Sequence, residues 1–203
     1  MALVESQFVI ASNNAHKVLE IRELAPEGFV FKSLSDIDFT DELEETSGTI
    51  QGNALQKARK LWQITNFNCV ADDSGLIITA LNGEPGVDSA IYAGEPKNDQ
   101  KNIEKVLFLM KDASLRNAYF VTILALIIDG KEYLFEGRID GTITTSSRGT
   151  NGFGYDSIFI PESADLTFAE MSSEQKNANS HRSRAVQKMI EFIGQYAKKE
   201  STS

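Results

Sequence analysis

Two long runs of strand-forming residues, Asn117–Ile128 and Lys131–Ile143, are separated only by Asp129-Gly130. Asp-Gly suits the tight turn that joins two antiparallel strands, so the segment predicts a long hairpin. Around it, strand-like and helix-like segments alternate. Gln7–Ser12 reads as a first strand and Phe29–Leu34 as a short one. Cys69–Ala71 and Leu76–Leu81 read as strands on either side of a polar turn, and Ser157–Ile160 as a short strand ended by Pro161. Asn14–Leu24 predicts a helix with Val18, Ile21 and Leu24 or Ala25 on one face. Thr49–Phe67 is the clearest helix, with an apolar stripe of Ile50, Ala54, Leu55, Ala58, Leu61, Trp62 and Ile64. Asp99–Lys111 is amphipathic, with Ile103, Val106, Leu107 and Met110 inward, and Ser183–Ala197 is a final helix. Asp36–Ser47 is an acidic loop, Asn82–Pro96 a Gly- and Pro-rich loop and Thr144–Gly154 a flexible one. Alternating elements plus a long hairpin give an α/β fold with a mixed sheet.

The chain has 203 residues, enough to bury a substantial core in one domain or one two-lobed unit. Its formal charge of -9 disfavours wrapping nucleic-acid polymers or an anionic membrane. A small anion is different, because it needs only a local cluster of donors. The single cysteine, Cys69, lies in the apolar run Phe67–Ala71 and is expected in the core. No intrachain disulfide can form, which fits a reducing cytoplasm. Met1–Ile10 lacks a signal-peptide pattern, Tyr119–Ile128 is too short to span a bilayer, and Lys198–Ser203 is a polar tail expected to fray.

Four polar clusters interrupt this scaffold at element ends. Ser12-Asn13-Asn14-Ala15-His16-Lys17 places a polar turn and a lysine where a helix starts. Free N–H groups there attract anions, although an Asn N-cap with a solvated lysine would look the same. The glycines of a Walker A loop are absent. Ala71-Asp72-Asp73-Ser74-Gly75 pairs two carboxylates after an apolar strand. Magnesium is held by one or two carboxylates plus substrate phosphates, and turns also favour Asp, Ser and Gly. Thr150-Asn151-Gly152-Phe153-Gly154-Tyr155-Asp156 sets an aromatic between glycines, fit to stack on a base or to plug the core. Lys176 to Arg184 is a basic island, fit to clamp phosphate or a purine carbonyl, or to be a solvated helix start capped by Ser180 or Ser183. The two histidines, His16 and His181, both fall in these clusters. Two basic anion sites, a carboxylate pair and a glycine–aromatic loop together match what a metal–nucleoside-triphosphate site requires. No Ser–His–Asp spacing or reactive-cysteine context accompanies them.

These residues resemble the inosine triphosphate pyrophosphatase family, the non-canonical purine NTP pyrophosphatases. The matching segments are Ser12–Lys17, Asn53-Ala54 with Lys57-Ala58, Ala71–Gly75 with Leu81–Gly86, Gly152–Asp156, and Ala169-Glu170 through Ser180-His181-Arg182. They spread over nearly the whole chain. The resemblance implies an elongated two-lobed α/β fold with a central mixed sheet flanked by helices, a nucleotide cleft between the lobes, a cytoplasmic homodimer and a Mg2+ cofactor. It implies hydrolysis of ITP, XTP and their deoxy forms to the monophosphate and pyrophosphate. By the same resemblance Ser12, Asn13, Asn14, Ala15, His16 and Lys17 hold the triphosphate. Asp73 binds magnesium and accepts a proton from water, with Asp72 helping at the metal. Ser74 touches substrate, Phe153 stacks on the base within Phe153-Gly154-Tyr155-Asp156, and Lys176, His181 and Arg182 contact base and phosphates.

The chain departs from the family in places. Many members carry a metal-binding glutamate immediately before the Asn-Ala pair, where this chain has Gly52, and Glu44 or Glu45 is a candidate replacement. Ser89-Ala90-Ile91-Tyr92 has lost an arginine at Ile91, Ser157 replaces a proline, and His16 stands where some members have glycine. Two other functions compete: a nucleotide binder that has lost catalysis, and a related hydrolase with a different base or product.

Overall fold

The computed structural model describes residues 6–200. Six strands form one sheet: β1 (Ser6–Ile10), β2 (Phe29–Lys32), β3 (Cys69–Ile78), β4 (Asn117–Ile128), β5 (Lys131–Ile143) and β6 (Phe159–Pro161). Five helices accompany it: α1 (Ala15–Glu23), α2 (Ile50–Thr65), α3 (Asp99–Leu109), α4 (Ser173–Asn179) and α5 (His181–Glu200). The strand order is β2-β1-β3-β4-β5-β6. β1 pairs parallel with both β2 and β3, whereas β5 and β6 run antiparallel, so the α/β, mixed-sheet expectation holds. The predicted hairpin is present with its predicted ends. Asp129 and Gly130 have φ of 50° and 75°, as a type I′ turn requires.

The chain divides into two compact units. Among the described residues, one comprises 6–73, 122–137 and 182–200, and the other 74–121 and 138–181. Each has its own core. In the first, Phe8, Ile10, Val70 and Leu124 pack with Ile21 of α1 and Met189 and Ile193 of α5. In the second, Leu76, Ile78, Phe120 and Ile139 pack with Val106 and Met110 of α3 and with Phe159 and Phe168. Complete burial of such side chains contributes about 1.5–3 kcal/mol each.

Several expectations are corrected. β3 is one continuous strand rather than two strands around a turn, and Asp72, Asp73 and Ser74 lie within it. The polar triplet stays in the strand because Lys17 and Arg182 satisfy the buried Asp72. α2 buries Asn53, Ala54, Lys57, Ala58 and Leu61, while Ile64, placed on the apolar stripe, is largely exposed. The basic island is two helices. α4 opens with a Ser172–Gln175 capping box, and α5 begins at His181, two residues before the expected start. Residues 198–200, expected to fray, continue α5. The segment 144–154 is tied down by hydrogen bonds from Arg148 N to Ser157 O and from Thr150 N and Asn151 N to Ala169 O. The rest of the tail, residues 201–203, and residues 1–5 of the amino-terminal segment lie outside the described residues. Among the described residues no helix is long and apolar enough to cross a membrane.

Candidate active site

The first unit gathers three cations, Lys17, Lys57 and Arg182, and four carboxylates, Asp72, Asp73, Glu20 and Glu45, around the middle of β3. Asn14 is the N-cap of α1: its side-chain oxygen accepts from His16 N and Lys17 N, and Ser12 Oγ accepts from Asn14 N. The cap leads the chain out of β1 and aims Lys17 at β3. Lys17 Nζ lies 2.5 Å from Asp72 Oδ1. Asn13, Ala15 and His16 stand exposed at the same turn.

Asp72 has no exposed surface, and its carboxylate is fully engaged. Arg182 Nε donates to Oδ2 at 2.7 Å and Nη2 to Oδ1 at 3.4 Å, while Arg182 Nη1 donates to Glu20. Burial by itself would raise the Asp72 carboxyl, but the Arg182 and Lys17 charges overcome it and hold the group well below the usual carboxylate range. The arginine, expected at base or phosphate, is here almost wholly buried between two carboxylates.

Asp73 has the opposite environment. It is 6% exposed, and its Oδ2 is buried with no hydrogen-bond partner among the described residues. Its Oδ1 is 3.8 Å from Lys57 Nζ. Burial pushes the carboxyl up to about 6, against the pull of Lys57 and Lys17. Adjacent aspartates with carboxyls driven apart in this way are how a site assigns one anchor and one proton acceptor.

Lys57 joins the site without a signal in any of the four polar clusters. It donates to Asp72 O at 2.7 Å and pairs with Glu45, although it is 4% exposed. A lysine in register with the apolar stripe of α2, between Ala54 and Ala58, was the available signal. Glu45 is the member of the Glu44–Glu45 pair that reaches this cluster. Gly52 lets the loop before α2 settle directly on the helix backbone. A Cβ there would sit 2.3 Å from Ser47 Oγ and 2.7 Å from Ser47 Cβ. Ser47 is itself fixed, its N and Oγ both donating to Asn53 Oδ1.

The second unit gathers the aromatic and basic residues. Asp156 Oδ2 accepts from Phe153 N at 2.9 Å and from Lys176 Nζ at 2.6 Å. Gly152 is obligatory here: its φ is 73°, and a Cβ would fall 2.1 Å from Asp156 Oδ2. Lys176 Nζ stands 5.0 Å from the centroid of the half-buried Phe153 ring. Tyr155 is buried and donates through its hydroxyl to Ser89 O, acting as the core plug of the loop. His181 is buried and stacks on Phe120 with ring centroids 4.6 Å apart. Ser74 follows Asp73 in β3, partly buried.

The model of the Ham1 family matches residues 8–192. The dITP/XTP pyrophosphatase of Flavobacterium johnsoniae is 46% identical over 187 residues, covering 92% of this chain and 97% of its own length. That of Bacillus subtilis is 45% identical, covering 94% and 98%. Among solved structures, the Ham1 protein of Staphylococcus aureus superposes with a TM-score of 0.85 at 38% identity, covering 94% of this chain and all of that one. A continuous match from β1 into α5, in sequence and in backbone, places this chain in the Ham1 family.

Proposed function

We propose that the chain is a nucleoside-triphosphate pyrophosphatase that hydrolyses ITP, dITP and XTP to the monophosphate and pyrophosphate, and so clears non-canonical purine nucleotides. The names of relatives 42–46% identical over 92% of the chain support the reaction. The observation that carries it in the structure is the divided aspartate pair. Asp72 is neutralised by Arg182 and Lys17, while Asp73 keeps a buried oxygen unengaged beside two lysines.

Magnesium fits the residues present. Among the described residues no group of three or more His, Cys, Asp or Glu could hold a metal alone. Magnesium asks for less: one or two carboxylates, with substrate phosphates and water completing its octahedron. Asp73 Oδ2 supplies one. When bound, the ion contributes charge neutralisation at the anhydride under attack. Asp73 takes the proton of water, whose hydroxyl goes to phosphorus as the α–β anhydride breaks and pyrophosphate leaves. Ser12 to Lys17 receive the phosphates, and Lys57 keeps positive charge beside Asp73.

The second unit supplies base recognition. Phe153 stacks on the purine, and Lys176 and His181 supply donors. Hypoxanthine and xanthine carry a 6-keto oxygen that accepts from such donors, whereas the 6-amino group of adenine leaves them unpaired. A polar mismatch of this kind discriminates by ~10⁴-fold or more. The enzyme is further proposed to act in the cytoplasm as a homodimer on free nucleotides.

The decisive experiment incubates purified protein and magnesium with ITP, ATP and GTP in parallel and identifies the products. IMP and pyrophosphate, with ATP and GTP largely spared, is the expected result. ITP binding without turnover would replace this reading with a silent binder, and release of single phosphates would replace it with a different hydrolase.

A further inference from the structure

The Phe153 loop is held by two carboxylates from opposite directions in the sequence. Asp156, its own neighbour, takes Phe153 N–H. The next amide, Gly154 N–H, donates at 2.9 Å to Oδ2 of Asp99, 55 residues earlier. Asp99 is the first residue of α3, and Lys97 Nζ stands 3.7 Å from its other oxygen. Gly154 has φ of 57°, a conformation that side-chain-bearing residues seldom adopt, and no atom stands within 4 Å of where its Cβ would be. No side chain packs at this position, and the N–H hydrogen bond to Asp99 is a direct hold on its backbone. Tyr155 then drops into the core, its hydroxyl bonded to Ser89 O at 2.9 Å. Consecutive residues 153, 154 and 155 are thus each tied, and Asp99 holds the backbone of the residue next to Phe153 from 55 residues away.

We propose that Asp99 is a positioning residue for base recognition: its carboxylate fixes the Gly154 backbone so that the Phe153 ring is held ready to receive the purine. The inference rests on the reading that Phe153 stacks on the base. Asp99 touches neither substrate nor the reacting bond, so its loss raises KM and leaves kcat. Its charge is not what matters. An asparagine presents the same acceptor oxygen and keeps the tie.

The test compares Asp99→Ala, Asp99→Asn and Asn98→Ala with wild type. Asn98 is the N-cap of α3, accepting from Lys101 N at 2.9 Å, so its variant weakens the same helix start without touching Gly154. With ITP and magnesium, Asp99→Ala raises KM about tenfold, a large part of what base stacking contributes, with kcat within about twofold. Asp99→Asn restores KM, and Asn98→Ala lowers thermal stability while leaving KM alone. Amide hydrogen exchange over residues 152–156 accelerates in Asp99→Ala only. An unchanged KM in Asp99→Ala, or Asp99→Asn as impaired as Asp99→Ala, overturns the proposal. Should wild type fail to turn over ITP, the functional reading falls, and the exchange measurement still decides the tether: unchanged exchange in Asp99→Ala overturns it.

Discussion

Asp73→Asn should separate stability from activity in opposite directions. Burial raises this carboxyl from 3.8 to about 6, so at pH 8 the fold carries an ionised group that it disfavours. At about 1.4 kcal/mol per pH unit, that difference amounts to about 3 kcal/mol. The sign follows from proton binding. The folded state holds the proton more tightly than the unfolded one, so stability falls as pH rises from 3.8 to about 6 and stays low above. Asparagine stands in for the protonated carboxyl, and the pull of Lys57 at 3.8 Å is already contained in that balance, while its amide does not reproduce every contact of the acid. A net gain of about 1–3 kcal/mol corresponds to a melting temperature higher by roughly 2–10 °C in a chain of this size. The assay is thermal unfolding of wild type and variant with chelator present, at pH 8 and at pH 4. The variant should be the more stable at pH 8, and the difference should vanish at pH 4. Turnover of ITP should fall ~10³-fold, as for loss of a general base, and magnesium should stabilise wild type more than the variant. Equal melting temperatures at pH 8, or activity within a few-fold of wild type, would refute the reasoning.

Phe153→Ala should raise KM for ITP about tenfold, since stacking of one base contributes about 1–3 kcal/mol; steady-state kinetics check it. Arg182→Ala should cost about 3–5 kcal/mol of stability, because it strands the buried Asp72 charge, and a thermal melt will show it. An arginine serving substrate alone would leave the melt unchanged. Cys69 should resist thiol reagents at pH 8 until the chain is denatured, because burial pushes its thiol up to about 12; a colorimetric thiol titration decides this.

The local parts of this molecule were legible in its sequence. The hairpin, the α2 and α3 helices and the Cys69 core position follow from periodicity and from one Asp-Gly pair. The polar clusters were legible as clusters, because Asn14, Gly152 and the aspartate pair break the pattern of their elements. What periodicity could not reveal is pairing across long separations. Asp72 meets Arg182 across 110 residues and Lys17 across 55. Without those cations, two adjacent aspartates read as a turn between two strands, although they lie inside one. Lys57 is silent in the sequence for the same reason: a buried lysine makes sense only once Glu45 and the Asp72 carbonyl are beside it. The seven residues of α4 are too few for a hydrophobic face to declare itself, and its capping box is the stronger signal.

The packing of Ser47 over Gly52 couples the acidic loop to the first turn of α2. A Cβ at position 52 would stand 2.3 Å from Ser47 Oγ and 2.7 Å from Ser47 Cβ, so a side chain there displaces Ser47 and the bonds it makes to Asn53. Glu45 lies two residues before Ser47 and pairs with Lys57. The bare backbone at 52 is therefore the seat on which the loop rests while it holds a carboxylate against a buried lysine.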